Sequence, residues 1–489
     1  MYKFQSKQMS FTDFNMPLGM KLDPNNRWVK KAGAIPWDKI ERLYAGTFDS
    51  VNGQVAKPLQ LALGALLIQI ERKISDEEVV HQIQETPCLQ YFCGLPGYVD
   101  EPPFEASLMV YFRKRLTDLL GEINELTISE TFKPKESESG SSDGDGSSGG
   151  AGNPSEPSNK GDLIIDATCA PQNIRYPQDL SLLNEARENL ERMVGMLHSP
   201  LDGGKPRTYR KNARRDYLEA AKSRRKTPKQ LRKAIGRQLG YVRRDLGYVL
   251  SYLNAGRELP KRQMDRLSAI VKFCEQQDYM RRNRVSRVDD RIVSLGQPWV
   301  RPIVRGKAKA KCEFGAKLDI SVANGFARME RVSFDAYNES ENLIESIERY
   351  KQREGHYPER VLADKIYRSS KNVSYCQSLG IQILGKPLGR PRKDISGEDR
   401  KLLRKSERKA EIDRIEVERK FSHAKGSFGL GLIRTRLRET SLAAIALAIL
   451  ALNIAHIVRF FRTLSYELMI WIENAIDFIY NPKNVRFVQ

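Results

Sequence analysis

Two aspartates each follow a short apolar run, where a carboxylate could do chemistry. Asp166 follows the residues LII in DLIIDATCAP, and Asp364 follows VLA in RVLADKIY. We expect each to end a buried strand, because the carboxyl edge of an α/β sheet is where side chains are presented to a cleft. Two such carboxylates on adjacent strands repel one another unless a divalent cation lies between them. Taken singly, each aspartate is also typical of an Asx turn or a helix cap.

A third set of charged residues lies in the segment EIDRIEVERKFSHAKGSFGL. Arg414, Glu418 and Lys425 are separated there by four and then seven positions. These separations place all three on one face of a helix. Without further context, such a pattern is typical of a solvated stripe that contains an intrahelical ion pair.

This arrangement resembles the DDE transposases of bacterial insertion sequences, in the group with a Tyr, Arg, Glu, Lys signature around the last carboxylate. The signature leaves three residues between Arg and Glu and six between Glu and Lys, as Arg414, Glu418 and Lys425 do. The Tyr of the signature falls on Glu411, so the chain departs from the family at that position.

The two aspartates extend the resemblance. The family's first Asp stands in a strand like IIDAT, which matches Asp166, and its second precedes a Lys-x-Tyr segment, which matches Asp364. The resemblance implies a ribonuclease-H-like fold in which Asp166, Asp364 and Glu418 hold two Mg²⁺ or Mn²⁺ ions. Such a pair of ions, roughly 3.5 to 4 Å apart, stabilises the entering and leaving oxygens of a phosphoryl displacement. Water is the nucleophile for nicking, and the freed 3′ hydroxyl is the nucleophile for strand transfer.

The resemblance also implies residues that bind DNA. Arg414 and Lys425 are expected to hold phosphates beside the metal ions. Lys365 and Arg368 could clamp the strand, although a surface turn explains them as well. The implied partners are the terminal inverted repeats of the element and its target DNA, bound by a homodimer on paired ends.

The charge of the chain favours the same kind of partner. The formal net charge is +21, and residues 205–317 hold 32 Lys and Arg against 10 Asp and Glu, which accounts for the whole excess. A basic module on a nearly neutral body indicates nucleic acid rather than a membrane surface. We expect clusters such as Arg224, Arg225 and Lys226 to contribute to DNA binding.

The pattern along the chain predicts an α/β fold, with a mixed sheet that is interrupted by a basic helical insertion and preceded by an all-helical N-terminal domain. The resemblance implies that this sheet is ribonuclease-H-like. Without the insertion, the predicted order is three strands, a helix, two strands and a helix. The predicted divisions are a helical DNA-binding domain at 1–133, a flexible Gly/Ser-rich linker at 134–160, a catalytic domain at 161–489, an insertion at about 177–300 and C-terminal helices at about 437–480.

The location of the protein is predicted from what its sequence lacks. The six cysteines are scattered without zinc-binding spacing, and the N-terminus lacks the apolar stretch of a signal peptide, so we expect a reducing cytoplasm. The apolar run at 441–458 favours a buried core helix over a membrane span. The segment YELMIWIENAIDFIY is compatible with either core or a partner surface.

Two other functions fit the same residues. A ribonuclease-H-like nuclease or resolvase would share the three carboxylates but cut without joining. Terminal inverted repeats around the reading frame would distinguish a transposase from it. A non-catalytic DNA-binding descendant of such an enzyme is disfavoured, because the three carboxylates are intact.

Overall fold

A computed structural model describes residues 1–4, 9–48, 55–132, 159–225, 227–304, 312–384 and 397–480. Most of the predicted linker at 134–160 lies outside the described residues, and so does Lys226.

The N-terminal region is helical, as the apolar spacing predicts. Ser75 begins one of its helices as expected, because its side chain accepts a hydrogen bond from the backbone N–H of Glu78 at 3.1 Å. The helices are α1 (Arg27–Gly33), α2 (Trp37–Ala45), α3 (Leu59–Arg72), α4 (Asp76–Glu85), α5 (Pro87–Phe92), α6 (Leu108–Leu116) and α7 (Leu120–Phe132).

A mixed six-stranded sheet follows. Its strands are β1 (Asp162–Pro171), β2 (Arg301–Val304), β3 (Cys312–Ala323), β4 (Phe326–Ser333), β5 (Arg360–Ala363) and β6 (Gln382–Leu384). The order is β2-β3-β1-β5-β6, and β4 also pairs with β3. Asn324 and Gly325 join β3 to β4 with positive φ at both residues, which matches the right-handed twist of a two-residue hairpin. The predicted mixed α/β class is confirmed, and β2 is a strand that the sequence pattern did not predict.

Strand β1 is longer than expected. The prediction that Asp166 ends this strand is wrong, because β1 continues to Pro171. The extra length of β1 arises because its two neighbouring strands pair with it over different lengths. Strand β5 pairs with β1 in parallel only as far as Ile165, whereas β3 pairs with it in antiparallel from Ile164 to Pro171. Asp166 therefore lies where one edge of β1 loses its partner strand, rather than at the end of the strand.

The insertion between β1 and β2 is helical, as predicted, and has its own hydrophobic core. Its helices are α8 (Asp179–Leu197), α9 (Arg210–Lys222), α10 (Pro228–Asn254) and α11 (Lys261–Asn283). Leu190 of α8, Val242 of α10 and Phe273 of α11 are fully buried in this core. The Lys and Arg side chains of α9 lie mostly on its outer surface, since Ala213 is its only buried residue.

The remaining helices are α12 (Leu343–Glu354), α13 (Ser370–Ser378), α14 (Gly397–Ser427) and α15 (Arg438–Tyr480). Several C-terminal helices were expected at about 437–480, but the structure has one continuous helix there. No helix-breaking glycine or proline occurs between Arg438 and Tyr480, so nothing in the sequence interrupts the turn-by-turn hydrogen bonding.

The first half of α15 is a core helix. It packs against α3, α6, α7 and β4, and joins the N-terminal helices and the sheet in one hydrophobic core. Asn453 is buried there, donates to Asn124 at 2.8 Å and accepts from the backbone N–H of Ala327 at 2.9 Å. Among the described residues, Arg438–Met469 is one stretch long and apolar enough to cross a membrane, but 78% of its most apolar window is buried inside the protein.

Candidate active site

The sheet brings the two aspartates together. Ile165 of β1 and Ala363 of β5 are paired in parallel. Asp166 and Asp364 are the residues that follow this pair, so they lie side by side. The predicted adjacency of these carboxylates therefore agrees with the register of the sheet. Asp364 also caps the short turn that follows β5, accepting from the backbone N–H of Lys365 at 2.7 Å.

Helix α14 brings the third carboxylate to the same place. Ala410, Val417 and Ala424 recur every seven residues, are buried and face the sheet, against which α14 packs. The neighbouring face of α14 then borders a cleft of about 570 Å³. The charged residues that line this cleft are Asp166, Lys317, Glu339, Asp364, Arg414, Glu418 and Lys425.

Arg414 links two of the carboxylates. Its guanidinium donates to Asp166 Oδ2 at 3.0 Å and to Glu418 Oε1 at 3.0 Å. The intrahelical pair expected of a solvated stripe is thus present, but the same side chain also reaches across to β1. The forked geometry of a guanidinium allows both bonds at once.

Asp166 has an unusual environment for a carboxylate. Burial raises the pKa of Asp166 to about 6, and the nearby charges of Asp364 and Glu339 add to the rise. The backbone N–H of Ala167, which donates at 2.8 Å, and the Arg414 guanidinium lower the pKa of the same carboxyl. A buried carboxylate beside others of the same sign is stabilised in its charged form by a bound cation.

The donor set suits a hard divalent cation. Asp166, Asp364 and Glu418 offer only carboxylate oxygens to the cleft, which are the ligands that Mg²⁺ and Mn²⁺ prefer. Within the part of the chain that the structure describes, no three His, Cys, Asp or Glu side chains are close enough together to hold a metal ion. Glu418 is turned towards Arg414, which occupies the space between this carboxylate and Asp166. The residues fit a metal once Arg414 yields one of its two partners.

Two further charged residues of the cleft, Lys317 and Glu339, were not predicted from the sequence. Lys317 of β3 donates to Glu339 at 2.8 Å and to the backbone carbonyl of Tyr337 at 2.8 Å. The residue two positions along β3, Asp319, is buried beneath them and accepts from the Tyr337 hydroxyl at 2.9 Å and from the Asn342 amide at 3.0 Å. Burial raises the pKa of Asp319 to about 6. The only sequence signal was a polar alternation, Lys317, Asp319, Ser321, on one face of a strand.

Other residues expected to bind DNA lie elsewhere. Neither Lys365 nor Arg368 lines the cleft. Lys365 is exposed on the turn after β5, and Arg368 is half-buried near Glu407. Tyr367 of the same segment is buried, and burial raises its pKa strongly. Arg224 and Arg225 are exposed between α9 and α10, in the basic insertion.

The fold and the cleft define a class of protein, a mixed α/β protein with carboxylates from two parallel strands and a helix facing one groove. Comparison with known proteins agrees. Residues 361–455 match the family described as a transposase DDE domain, and residues 17–115 match a transposase domain of the DUF772 family. Together these matches support a DDE-type insertion-sequence transposase.

One curated relative is an uncharacterized protein, ORF8 in the nfe locus of Rhizobium meliloti. It is 35% identical to this chain over 95 residues, which cover 19% of the chain and 45% of that protein. The chain thus spans less than half the length of this relative. No solved structure matches the chain.

Proposed function

We propose that this protein binds the ends of its insertion sequence and catalyses metal-dependent DNA strand cleavage and strand transfer. The observation that carries the proposal is the meeting of Asp166, Asp364 and Glu418 at one cleft, beside Arg414 and Lys425. The transposase domains on both sides of the insertion support the same reaction class. The ribonuclease-H-like form of the fold is part of the proposal.

Five charged residues of the cleft have roles in this proposal. Asp166, Asp364 and Glu418 would hold two Mg²⁺ or Mn²⁺ ions, which when bound activate the nucleophile and stabilise charge on the leaving oxygen. Arg414 holds Asp166 and Glu418 in place while no ion separates them, and afterwards can donate to a phosphate oxygen. Lys425 approaches from the next turns of the same helix face and binds a neighbouring phosphate.

The basic insertion supplies an additional surface for DNA. Exposed Arg and Lys side chains of α9 and of the following loop present positive charge outward, where phosphates can be neutralised. In the proposal, terminal repeats and target DNA are both held in double-stranded form by a homodimer on paired ends. The proposed location is the bacterial cytoplasm, at the nucleoid.

The proposal is tested with DNA that carries the sequences flanking the reading frame. The purified chain is incubated with this DNA and a target plasmid, with Mg²⁺ or with a chelator. We expect nicks at the element ends and joined products in the reaction with Mg²⁺, and neither in the reaction with the chelator. Cutting without joining would favour the ribonuclease-H-like nuclease or resolvase, and no cutting of flanking DNA over shuffled DNA would contradict both.

A further inference from the structure

A fourth carboxylate lies in the cleft. Glu339 lines it together with Asp166, Asp364 and Glu418. Burial raises the pKa of Asp166, and the charge of Glu339 is among the causes that add to the rise, so these two carboxyl groups lie within electrostatic range of each other. Four carboxylates that share one cleft repel one another unless positive charge lies among them.

Each of the two glutamates is paired with a basic side chain. Arg414 donates to Glu418 at 3.0 Å, and Lys317 donates to Glu339 at 2.8 Å. Lys317 also donates to the backbone carbonyl of Tyr337 at 2.8 Å. The ammonium of Lys317 therefore keeps a partner if Glu339 turns away from it towards a cation.

A buried hydroxyl indicates a bound group at the same place. Tyr367 is fully buried, and its hydroxyl has no hydrogen-bond partner among the residues that the structure describes. Burial raises the pKa of this hydroxyl, and the charges of Asp319, Glu339 and Asp166 add to the rise, so its oxygen lies near these carboxyl groups. A buried polar group without a partner is costly, and native proteins rarely leave one unsatisfied. A hydrated cation among these carboxylates gives the hydroxyl a partner.

We propose that Glu339 is a fourth carboxylate ligand of the divalent cations in this cleft, and that Lys317 holds it while no cation is bound. The inference rests on the proposed function, which places two such cations there. Charge supports it, since two divalent cations carry four positive charges, whereas the three carboxylates of the proposed function supply three negative ones. Glu339 supplies the fourth, and the basic side chains of the cleft are then released to bind the phosphates of DNA.

The test measures binding of Mn²⁺ to the full chain without DNA, from the electron paramagnetic resonance signal of the free ion. Glu339→Gln keeps the shape of the side chain and removes its charge, and Glu341→Gln does the same at an exposed position in the same 3₁₀ turn, Glu339–Asn342. At about 1 M KCl, where the screening length is about 3 Å, attraction through space contributes little. We expect the dissociation constant to rise about 10-fold or more in Glu339→Gln and to stay within about twofold of the parent in Glu341→Gln.

Equal dissociation constants for Glu339→Gln and Glu341→Gln overturn the proposal, and so does a parent chain that binds no Mn²⁺. If Glu339→Gln loses its circular dichroism signal, Lys317→Gln decides the question. Freeing Glu339 from Lys317 should tighten Mn²⁺ binding about two- to fivefold at low salt. Unchanged or weaker binding overturns the proposal, and a lower melting temperature with unchanged Mn²⁺ affinity would show that the ion pair is only structural.

Cleavage of end DNA is measured separately, so that the two proposals can fail independently. Mn²⁺ binding that depends on Glu339, without cleavage, rejects the proposed function and leaves the fourth ligand standing. Cleavage by the parent, with the same Mn²⁺ affinity in the parent and in Glu339→Gln, rejects the fourth ligand alone.

Discussion

Arg414 on α14 donates to Asp166 on β1 across 3.0 Å, and this bond ties the helix that carries the third carboxylate to the strand that carries the first. The same guanidinium holds Glu418 at 3.0 Å. The positively charged guanidinium of Arg414 therefore lies between two of the candidate metal ligands, where the carboxylates would otherwise repel one another.

A lysine should not replace this arginine. The single ammonium of Arg414→Lys cannot reproduce two bonds in the fixed fork of a guanidinium. We expect the rate of Mg²⁺-dependent cleavage of end DNA to fall about 10-fold or more, in keeping with the loss of a charge-assisted bond of about 1.5 to 3 kcal/mol. Arg419→Lys, at an exposed position on the same helix, is the control and should cleave normally. Equal rates for both variants would remove Arg414 from the site.

Two lysines on α14 are expected to have different roles. Lys425 lines the cleft, whereas Lys420 donates to the backbone carbonyl of Gly325, and burial lowers its pKa. Lys425→Ala should weaken binding of end DNA and lower the slope of log affinity against log salt by about 1. Lys420→Ala should lower the melting temperature and leave that slope unchanged. A large loss of stability with normal DNA affinity in Lys425→Ala would show that Lys425 is structural.

The loop before α10 offers a test of the basic insertion. Replacing Arg224 and Arg225 with Gln should flatten the salt dependence of DNA binding, because fewer counterions are released when fewer phosphates are neutralised. The matched control replaces both with Lys and keeps the charge. The two binding isotherms are measured over a range of salt concentrations. An unchanged slope in the Gln variant would place the DNA path elsewhere.

A buried acid in the insertion predicts a dependence of stability on pH. Asp245 of α10 is fully buried 3.6 Å from Arg244, and burial raises its pKa to about 7. Because the folded-state pKa lies above the unfolded value of 3.8, the folded form is favoured by protonation. This contribution is complete below about pH 4 and is lost as pH rises through 7.

Asp245→Asn should remove this dependence. The variant is expected to gain stability relative to the parent at pH 8, where the parent must bury a charge, and to gain less at pH 5. Urea unfolding followed by circular dichroism at both pH values gives the comparison. Asp216→Asn, which alters a partly exposed acid on α9, controls for the loss of one charge. The same difference at both pH values would contradict the burial of a titrating group.

Much of the fold follows from local pattern. Apolar strands before Asp166 and Asp364, the helical spacing around Glu418 and the cap at Ser75 are all visible in the sequence, and each is found in the structure. The length of β1 was not predictable, because it depends on how far β3 runs beside it. Such pairing involves residues about 150 positions apart, which no local period encodes.

The candidate site was predictable only in part. Arg414, Glu418 and Lys425 share a helix, so their common face follows from helical geometry. Lys317 and Glu339 reach the cleft from a strand and a turn whose placement depends on the buried contacts of Asp319. Neither residue has a sequence neighbour that marks it. The bond from Arg414 to Asp166 likewise joins two segments 248 residues apart.

The three carboxylates should be separable from DNA binding. Asp166→Asn, Asp364→Asn and Glu418→Gln each keep the size of the side chain and remove one metal-ligating charge. We expect the affinity for end DNA, measured with Ca²⁺ or without metal, to stay within a few fold of the parent. The reason is that Lys and Arg side chains, rather than these carboxylates, bind the phosphates. A variant that lost DNA affinity and cleavage together would point to a structural role for that residue.

The most direct test is the rate at which Asp166→Asn cleaves end DNA in Mg²⁺, beside Glu416→Gln as the control. Glu416 is a half-buried acid on α14 that does not line the cleft. We expect Asp166→Asn to lose at least about 100-fold in rate, since changes outside the ligand shell already cost 10- to 100-fold. The control should cleave within about twofold of the parent. Near-parental cleavage by Asp166→Asn would contradict the proposal that this carboxylate holds the catalytic metal.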